Sequence, residues 1–207
     1  MPLDESRFIR TRPYLFHLTS RQNLGRIREL RTLHSAASLL ERAGRMELNT
    51  IRRVDHFAIE VDGEAVSLRD QKPLHRGPMR LEGGWTYEDF VAHVNSLVFF
   101  WPGSEEQPID YGARHFERYR HEGPVIIRIP SGELIGNGAE SLYSRCNSGA
   151  PRCSRRKHAP RGPDTFVPAA RFDGKPGNVV EVAFSGQVAI PDAATVRGVE
   201  GGRWQAL

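Results

Sequence analysis

Short apolar runs recur along the chain, separated by polar segments that contain glycine and proline. Runs of aromatic and β-branched residues between turn residues are typical of β-strands. This pattern predicts strands at Tyr14–Leu18, Phe57–Val61, Ala65–Leu68, Leu97–Trp101, Val125–Ile129, Thr165–Val167 and Val179–Phe184. The Asp62-Gly63 dipeptide lies between the second and third of these strands. It predicts a hairpin there, because both residues tolerate the positive φ of a tight turn.

Other segments have the spacing of helices. Leu24, Ile27 and Leu30 form an apolar stripe that follows Thr19 and Ser20, either of which can cap the helix. The other predicted helices are 35–44, which begins at a serine, 87–94, which follows a Thr-x-x-Asp capping box, and the charged amphipathic segment 111–120. Strands and helices mix without regular alternation. The sequence therefore predicts an α+β fold rather than a doubly wound parallel sheet.

Length and composition predict one domain over residues 1–207. Chains usually divide only beyond roughly 250–300 residues, and a hydrophobic content of 39% is enough to build a core. No apolar run approaches the ~18 residues of a membrane-spanning helix. The first residues have neither the basic nor the apolar region of a signal peptide. We therefore expect a cytoplasmic protein without a membrane partner.

The excess of positive charge is confined to one segment. The chain has 29 Lys and Arg against 25 Asp and Glu, a net charge of +4. The segment from Ser141 to Pro163 contains no acid and six basic residues, which leaves the rest of the chain at −2. These basic residues are Arg145, Arg152, Arg155, Arg156, Lys157 and Arg161. The glycines and prolines of the segment predict a loop. Its charge density attracts phosphates and favours contact with a DNA or RNA backbone, the alternative being a solvated surface loop that binds nothing.

Common motifs for nucleotides, metals and serine hydrolysis are absent. The chain has no P-loop, no G-x-G-x-x-G, no H-E-x-x-H and no G-x-S-x-G. Cys146, Cys153 and His158 have a spacing that fits no standard zinc site. We therefore expect no metal, and two reduced thiols.

A polar cluster follows the first predicted strand. His17, Thr19 and Asn23 lie around a strand-to-helix junction, where the unpaired N–H groups of a first helical turn favour a phosphate or a ribose. On spacing alone, a core histidine with a helix-capping threonine is the simpler interpretation.

The stretch H-L-T-S-R-Q-N-L-x-x-I, which starts at His17, resembles the first motif of the DarT-type DNA ADP-ribosyltransferases. In that family, H-x-T-x-x-x-N-L-x-x-I lies on the first strand and helix of an NAD pocket. The resemblance implies that His17, Leu18 and Thr19 hold the nicotinamide end of NAD, with Asn23 nearby. It also implies an ADP-ribosyltransferase-like core of mixed strands with flanking helices.

Three shorter matches follow in the same order along the chain. Arg69 falls where the family keeps a catalytic arginine, Leu97–Pro102 is similar to its aromatic strand, and Glu181 matches its catalytic glutamate. The resemblance thus implies NAD as co-substrate, a nucleic-acid base as acceptor with DNA favoured, and a toxin or phage-defence role in which an antitoxin would be a partner. The motifs R-D-Q-x-P-L, V-F-F-W, N-S-G and R-G-x-D-T-F, from residues 69, 98, 147 and 161, are more similar to those of an uncharacterised bacterial family.

The residue types fit this chemistry. Cleavage of an N-glycosidic bond gives an oxocarbenium-like ribose, which a facing carboxylate stabilises. Glu181 interrupts an apolar strand, although a surface position on an edge strand has the same pattern. Phe99, Phe100 and Trp101 offer π-faces to nicotinamide or form a core strand. Arg69 binds the pyrophosphate, positions an acceptor base or forms a surface salt bridge.

Two other functions are consistent with the same residues. One is a non-catalytic nucleic-acid-binding module, in which the basic segment binds and the pocket has lost its activity. The other is an NAD glycohydrolase, in which water is the acceptor.

Overall fold

The computed structural model describes residues 1–77, 79–136, 138–147 and 160–207, which form a mixed α+β structure. Its strands are β1 (Tyr14–Thr19), β2 (Thr32–His34), β3 (Phe57–Val61), β4 (Glu64–Leu68), β5 (Leu97–Gly103), β6 (Val125–Pro130), β7 (Ser141–Ser144), β8 (Val167–Pro168), β9 (Glu181–Ser185), β10 (Gln187–Ala189), β11 (Thr195–Gly198) and β12 (Gly201–Ala206). Its α-helices are α1 (Glu5–Thr11), α2 (Leu24–Leu30), α3 (Ala36–Arg42), α4 (Tyr87–Asn95), α5 (Asp110–Arg118) and α6 (Ser131–Ile135). Among the described helices, none is long and apolar enough to cross a membrane.

An eight-stranded sheet in the order β12-β11-β6-β1-β5-β9-β7-β8 forms the centre of the fold. Its registered strand pairs are antiparallel. Two small sheets accompany it, one made of β10 and β2 and the other of the β3–β4 hairpin. The first strand in sequence therefore lies near the middle of the sheet, between β6 and β5.

The hairpin and two helix starts form as their sequences predict. Asp62 and Gly63 have φ values of 54° and 81° in the β3–β4 turn. The Ser35 side chain caps α3, and Thr86 with Asp89 forms a capping box at the start of α4. These predictions are confirmed because each depends on contacts between residues a few positions apart.

The predicted cap of helix α2, by Thr19 or Ser20, is wrong. A single 3-10 turn, Arg21–Asn23, lies between β1 and α2, and Ser20 makes no side-chain capping bond. Thr19 is buried in β1, and its Oγ1 accepts a hydrogen bond from Asn23 Nδ2 at 3.3 Å. The hydroxyl therefore contacts a side chain of the junction and not the N–H groups of the helix.

Alternating residues of β1 separate the core into two layers. Leu15 packs on one face of the sheet, where Phe8 of α1 and Leu134 of α6 belong to the same buried cluster. Phe16 packs on the other face with Trp101 and the buried Phe116 of α5.

Helix α5 lies unusually close to β5 because it has a glycine at the contact. A Cβ at Gly112 would lie 2.7 Å from the Trp101 Cβ, nearer than packed carbon atoms approach. Glycine at this position lets the helix rest directly on the tryptophan.

Several elements have no clear counterpart in the sequence pattern. These are α1, α6, β2, β7 and the C-terminal strands β10, β11 and β12. The predicted loop from Ser141 begins with the strand β7, because this short segment pairs with β9. The predicted strand at Thr165–Val167 is reduced to β8, and Val179 and Val180 precede β9 instead of forming its start.

Candidate functional site

A cavity of about 430 Å³ lies where strands β1 and β5 separate. The two strands are in register at only three pairs, the last being Phe16 with Trp101. Strand β1 continues along β6 to Thr19, which is paired with Val125. The part of β1 beyond Phe16 therefore borders an opening in the sheet, and the opening has the volume of a small-molecule site, ~300–1,000 Å³.

Most of the predicted pocket residues line this one cavity. They are His17, Leu18, Thr19, Asn23, Arg69, Phe99 and Glu181. These residues come from four separate parts of the sequence. The fold thus brings together side chains that the sequence suggested only by their order along the chain.

Phe100 does not reach the cavity, and the prediction that it contacts a cofactor is wrong. Its side chain is fully buried and packs edge-on against Phe184, with ring centroids 5.7 Å apart. Successive side chains of a strand point to opposite faces. Phe99 therefore borders the cavity while Phe100 belongs to the core behind it.

His17 is neutral and presents a hydrogen-bond acceptor. Its Nδ1 lies 2.9 Å from the main-chain oxygen of Phe99. Burial lowers the pKa of His17 to about 4; the Phe99 bond opposes this shift and the positive charge of Arg69 adds to it. Because a carbonyl oxygen only accepts, Nδ1 carries the proton of the neutral ring and Nε2 has a free lone pair.

Asn23 connects the start of α2 to the β3–β4 hairpin. Its Nδ2 donates to the Ser67 carbonyl at 2.9 Å, and its Oδ1 accepts from the Ser67 N–H at 2.8 Å. The side chain thus pairs with both backbone groups of Ser67, as a neighbouring strand would. Since Ser67 lies two positions before Arg69, Asn23 helps to position Arg69 at the cavity.

We expect Asn23→Ala to lower the free energy of unfolding by about 1–3 kcal/mol, because it leaves the backbone groups of Ser67 without their partner. Chemical denaturation with urea measures this loss. Gln22→Ala is the matched control, since the neighbouring Gln22 is exposed and its Nε2 donates a long hydrogen bond of 3.3 Å to the Ala65 carbonyl. Equal losses in the two variants would contradict the role of Asn23.

Arg69 is held in place on two sides. Its Nη2 lies 3.0 Å from Glu122 Oε2, and its guanidinium carbon lies 4.1 Å from the centre of the Tyr119 ring. Arg53 donates a hydrogen bond of 2.7 Å to the Arg69 carbonyl. With 19% of its side chain exposed, Arg69 remains accessible from the cavity. The surface salt bridge considered from the sequence is therefore a partly buried one in the wall of the site.

A hydrogen bond between Asp70 and Tyr119 fixes the part of the cavity wall that contacts Arg69. The Tyr119 hydroxyl donates to Asp70 Oδ1 at 2.7 Å. Burial and this hydrogen bond raise the pKa of Tyr119 to about 12. Burial opposes ionisation of Asp70, but bonds from the Lys72 N–H and from Tyr119 outweigh it and hold the pKa of Asp70 below its ordinary value. The tyrosine therefore stays protonated and fixes the ring on which Arg69 rests.

Glu181 is a buried carboxylate in the cavity wall. It is 1% exposed and pairs with Ser144 in an internal strand, since β9 lies between β5 and β7. The alternative of an edge-strand surface residue is wrong. Glutamate is almost never fully buried unless it is paired, and an ionised carboxylate in a cavity of low dielectric would exert a strong field on a bound ligand.

The rim of the cavity contains side chains that the sequence did not indicate. Tyr111, Arg114, His115 and Arg118 of α5 all line it. The His115 ring packs on Trp101, with centroids 4.5 Å apart. Burial and the charges of Arg69 and Arg118 lower the pKa of His115 to about 3, so it is neutral. The only signal in the sequence was the i, i+3, i+4, i+7 spacing of these residues, which is also that of any solvated helix face.

The described lining residues carry more positive than negative charge. Four are arginines, and only Asp70 and Glu181 are acids. Such an excess attracts an anionic ligand and fits a phosphate-containing one.

The basic segment is described only at its two ends. Arg145 is exposed, and its guanidinium lies over the ring of Phe172. Arg161 is 1% exposed and donates to the carbonyls of Asn147 and Pro160. Arg161 is therefore not presented to an external phosphate backbone. Arg152, Arg155, Arg156 and Lys157, together with Cys153 and His158, lie outside the described residues.

Comparison with known proteins identifies a family. The family of unknown function DUF7002 matches residues 13–195. This range begins just before β1 and contains every cavity residue that the sequence predicted. No curated protein matches the chain, and no solved structure matches it. Because the match covers most of the chain, this protein belongs to the DUF7002 family.

Proposed function

We propose that this protein is an NAD-dependent ADP-ribosyltransferase that modifies a nucleic-acid base, with DNA favoured over RNA as the acceptor. The observation that carries the proposal is the meeting of the buried Glu181 carboxylate, neutral His17 and Arg69 in one cavity. These are the residues that the motif resemblance implies. They come from the beginning, the middle and the end of the chain.

The cavity has groups suited to a ribose, a pyrophosphate and nicotinamide. Nε2 of His17 can accept a hydrogen bond from a ribose hydroxyl. The guanidinium of Arg69, held by Glu122 and Tyr119, suits a pyrophosphate, because its planar set of donors matches phosphate oxygens. Phe99 supplies an aromatic wall for nicotinamide.

In the proposed reaction, the bond between the ribose C1 and the nicotinamide nitrogen breaks, and its electron pair leaves with neutral nicotinamide. The ribose carbon becomes positively charged as the bond lengthens. The Glu181 carboxylate opposes this charge and stabilises the transition state. A nitrogen of the acceptor base then forms the new bond to C1 and loses its proton to solvent.

Incubation of the protein with NAD labelled in its adenylate phosphate tests the proposal. Parallel reactions contain single-stranded DNA, duplex DNA, RNA or no acceptor. Label that remains on nucleic acid after protease treatment supports the transferase. Release of free ADP-ribose at the same rate in every reaction identifies a glycohydrolase and overturns it. Intact NAD together with salt-dependent nucleic-acid binding identifies a non-catalytic module, which also overturns it.

A further inference from the structure

Helix α5 presents a row of exposed residues to the cavity mouth. Tyr111, Arg114 and Arg118 follow the i, i+3, i+7 spacing of one helix face, and all three line the cavity. Tyr111 is 39% exposed and the Arg114 side chain 77% exposed. Arg118 is exposed as well. We call these three residues the α5 rim.

The helix that carries the α5 rim is firmly attached to the sheet. Its opposite side includes Gly112, which lies directly against Trp101, and the buried Phe116. His115 packs on Trp101 from the same helix. The rim is therefore held in a fixed position relative to the cavity.

The charges of the α5 rim are available to a ligand. Arg118 forms no ion pair with any residue that the structure describes. Arg114 lies 3.5 Å from Asp110, and both side chains are well exposed. An exposed pair of this kind contributes little stability, so a phosphate can replace Asp110 as the partner of Arg114. Glu117, the other acid of the helix, pairs with Arg120 and does not line the cavity.

We propose that the α5 rim binds single-stranded nucleic acid, with phosphates on Arg114 and Arg118 and a base stacked on Tyr111. Two observations favour a strand over a small ligand. The two arginines are at the exposed mouth, where they can contact a molecule that extends out of the cavity. Inside the cavity, Arg69 is already the proposed partner of the pyrophosphate. An exposed tyrosine beside cationic side chains is the combination that single-strand-binding proteins use, whereas the bases of a duplex are already stacked.

This inference rests on the proposed function, because it supplies the acceptor of the same site. It places the acceptor strand on α5, at the cavity mouth, whereas the sequence suggested the basic segment alone. A base that leaves the strand at Tyr111 would enter the cavity beside Trp101, which also lines it.

The test uses the full chain and a fluorescent single-stranded DNA of about 12 nucleotides, a length within the range that single-strand sites cover. Binding is measured by fluorescence anisotropy between 50 and 200 mM salt, without NAD. For the variant Arg114→Gln/Arg118→Gln we expect about tenfold weaker binding at the lower salt concentration. We also expect the slope of log affinity against log salt to fall by about 1.4, since each lost phosphate contact removes about 0.7. Tyr111→Ala should weaken binding with little change in the slope.

Arg10→Gln/Arg28→Gln is the matched control. It removes the same charge from exposed arginines of α1 and α2 that do not line the cavity. We expect its binding to stay within twofold of the wild type. Thermal unfolding verifies that all variants are folded.

A second measurement separates the strand from a small phosphate ligand. Binding of NAD to the rim variants is measured by calorimetry and is expected to stay within twofold of the wild type. Loss of NAD binding with unchanged DNA binding would assign the α5 rim to the pyrophosphate and overturn the proposal. Equal loss in the control variant, or no DNA binding by the wild type, would overturn it as well. Since DNA binding is measured without turnover, a protein that binds DNA through the rim but leaves NAD intact contradicts only the proposed function.

Discussion

Glu181→Gln is expected to slow NAD cleavage by about 100- to 1,000-fold, the usual loss when one electrostatic contact to a transition state is removed. Glutamine keeps the size of the side chain and one accepting oxygen, removes the negative charge and replaces the second oxygen with an NH2 donor. The charge that develops on the ribose would then lack its counter-charge in a cavity where Glu181 is 1% exposed. Single-turnover kinetics with labelled NAD measures the rate of cleavage independently of product release.

The control for this experiment is Glu60→Gln, an exposed strand carboxylate that does not line the cavity. It should leave the rate unchanged. The affinity of the Glu181 variant for NAD should change much less than its rate, because the contact strengthens only as the bond breaks. Cleavage by Glu181→Gln at the rate of the control would remove Glu181 from the catalytic role.

The elements that the sequence predicted best depend on local contacts. The turn at Asp62 and Gly63 needs only the positive φ of these two residues, and the start of α4 needs only Thr86 and Asp89. Such contacts form between residues at most three positions apart, so a motif in the sequence is sufficient to identify them.

The hydrogen bonds of the polar residues between β1 and α2 could not be predicted from their motif. The sequence predicted a helix cap at Thr19 or Ser20, but the polar side chain with the decisive contact is Asn23, which pairs with Ser67. That partner is 44 positions away. Since local sequence contains no information about such a partner, the positioning role of Asn23 could not be predicted from the motif.

Charge along the sequence did not indicate which arginines line the cavity. The basic segment predicted that Arg161 contacts nucleic acid, but this side chain is buried and donates hydrogen bonds to backbone carbonyls. The sequence did not indicate Arg114 and Arg118 as site residues, because charged residues on a helix usually face solvent. Their position at a cavity mouth results from the packing of Gly112 on Trp101, which no pattern of charges could indicate.

The aromatic pair in β5 allows a direct test of how the sheet divides core from cavity. Phe100→Ala is expected to lower the free energy of unfolding by about 3–5 kcal/mol, the usual cost of removing a fully buried phenylalanine. Its ring is 0% exposed and lies against Phe184 and His17, with ring centroids 5.7 and 5.5 Å away. Phe100 pairs with Val182 of β9, which also pairs with Tyr143 of β7, so β9 cannot move into the space that the ring leaves.

Phe99→Ala should have a smaller effect on stability and a larger one on the site. Phe99 is only partly buried, and its ring contacts Phe166 beside the cavity. Urea denaturation of both variants measures the difference, and NAD titration measures the affinity of each. Phe100→Leu, which removes fewer atoms, provides the comparison if the alanine variant does not fold. A greater loss of stability for Phe99→Ala than for the Phe100 variant would show that the two rings face the opposite way, and the cavity wall would have to be reassigned to Phe100.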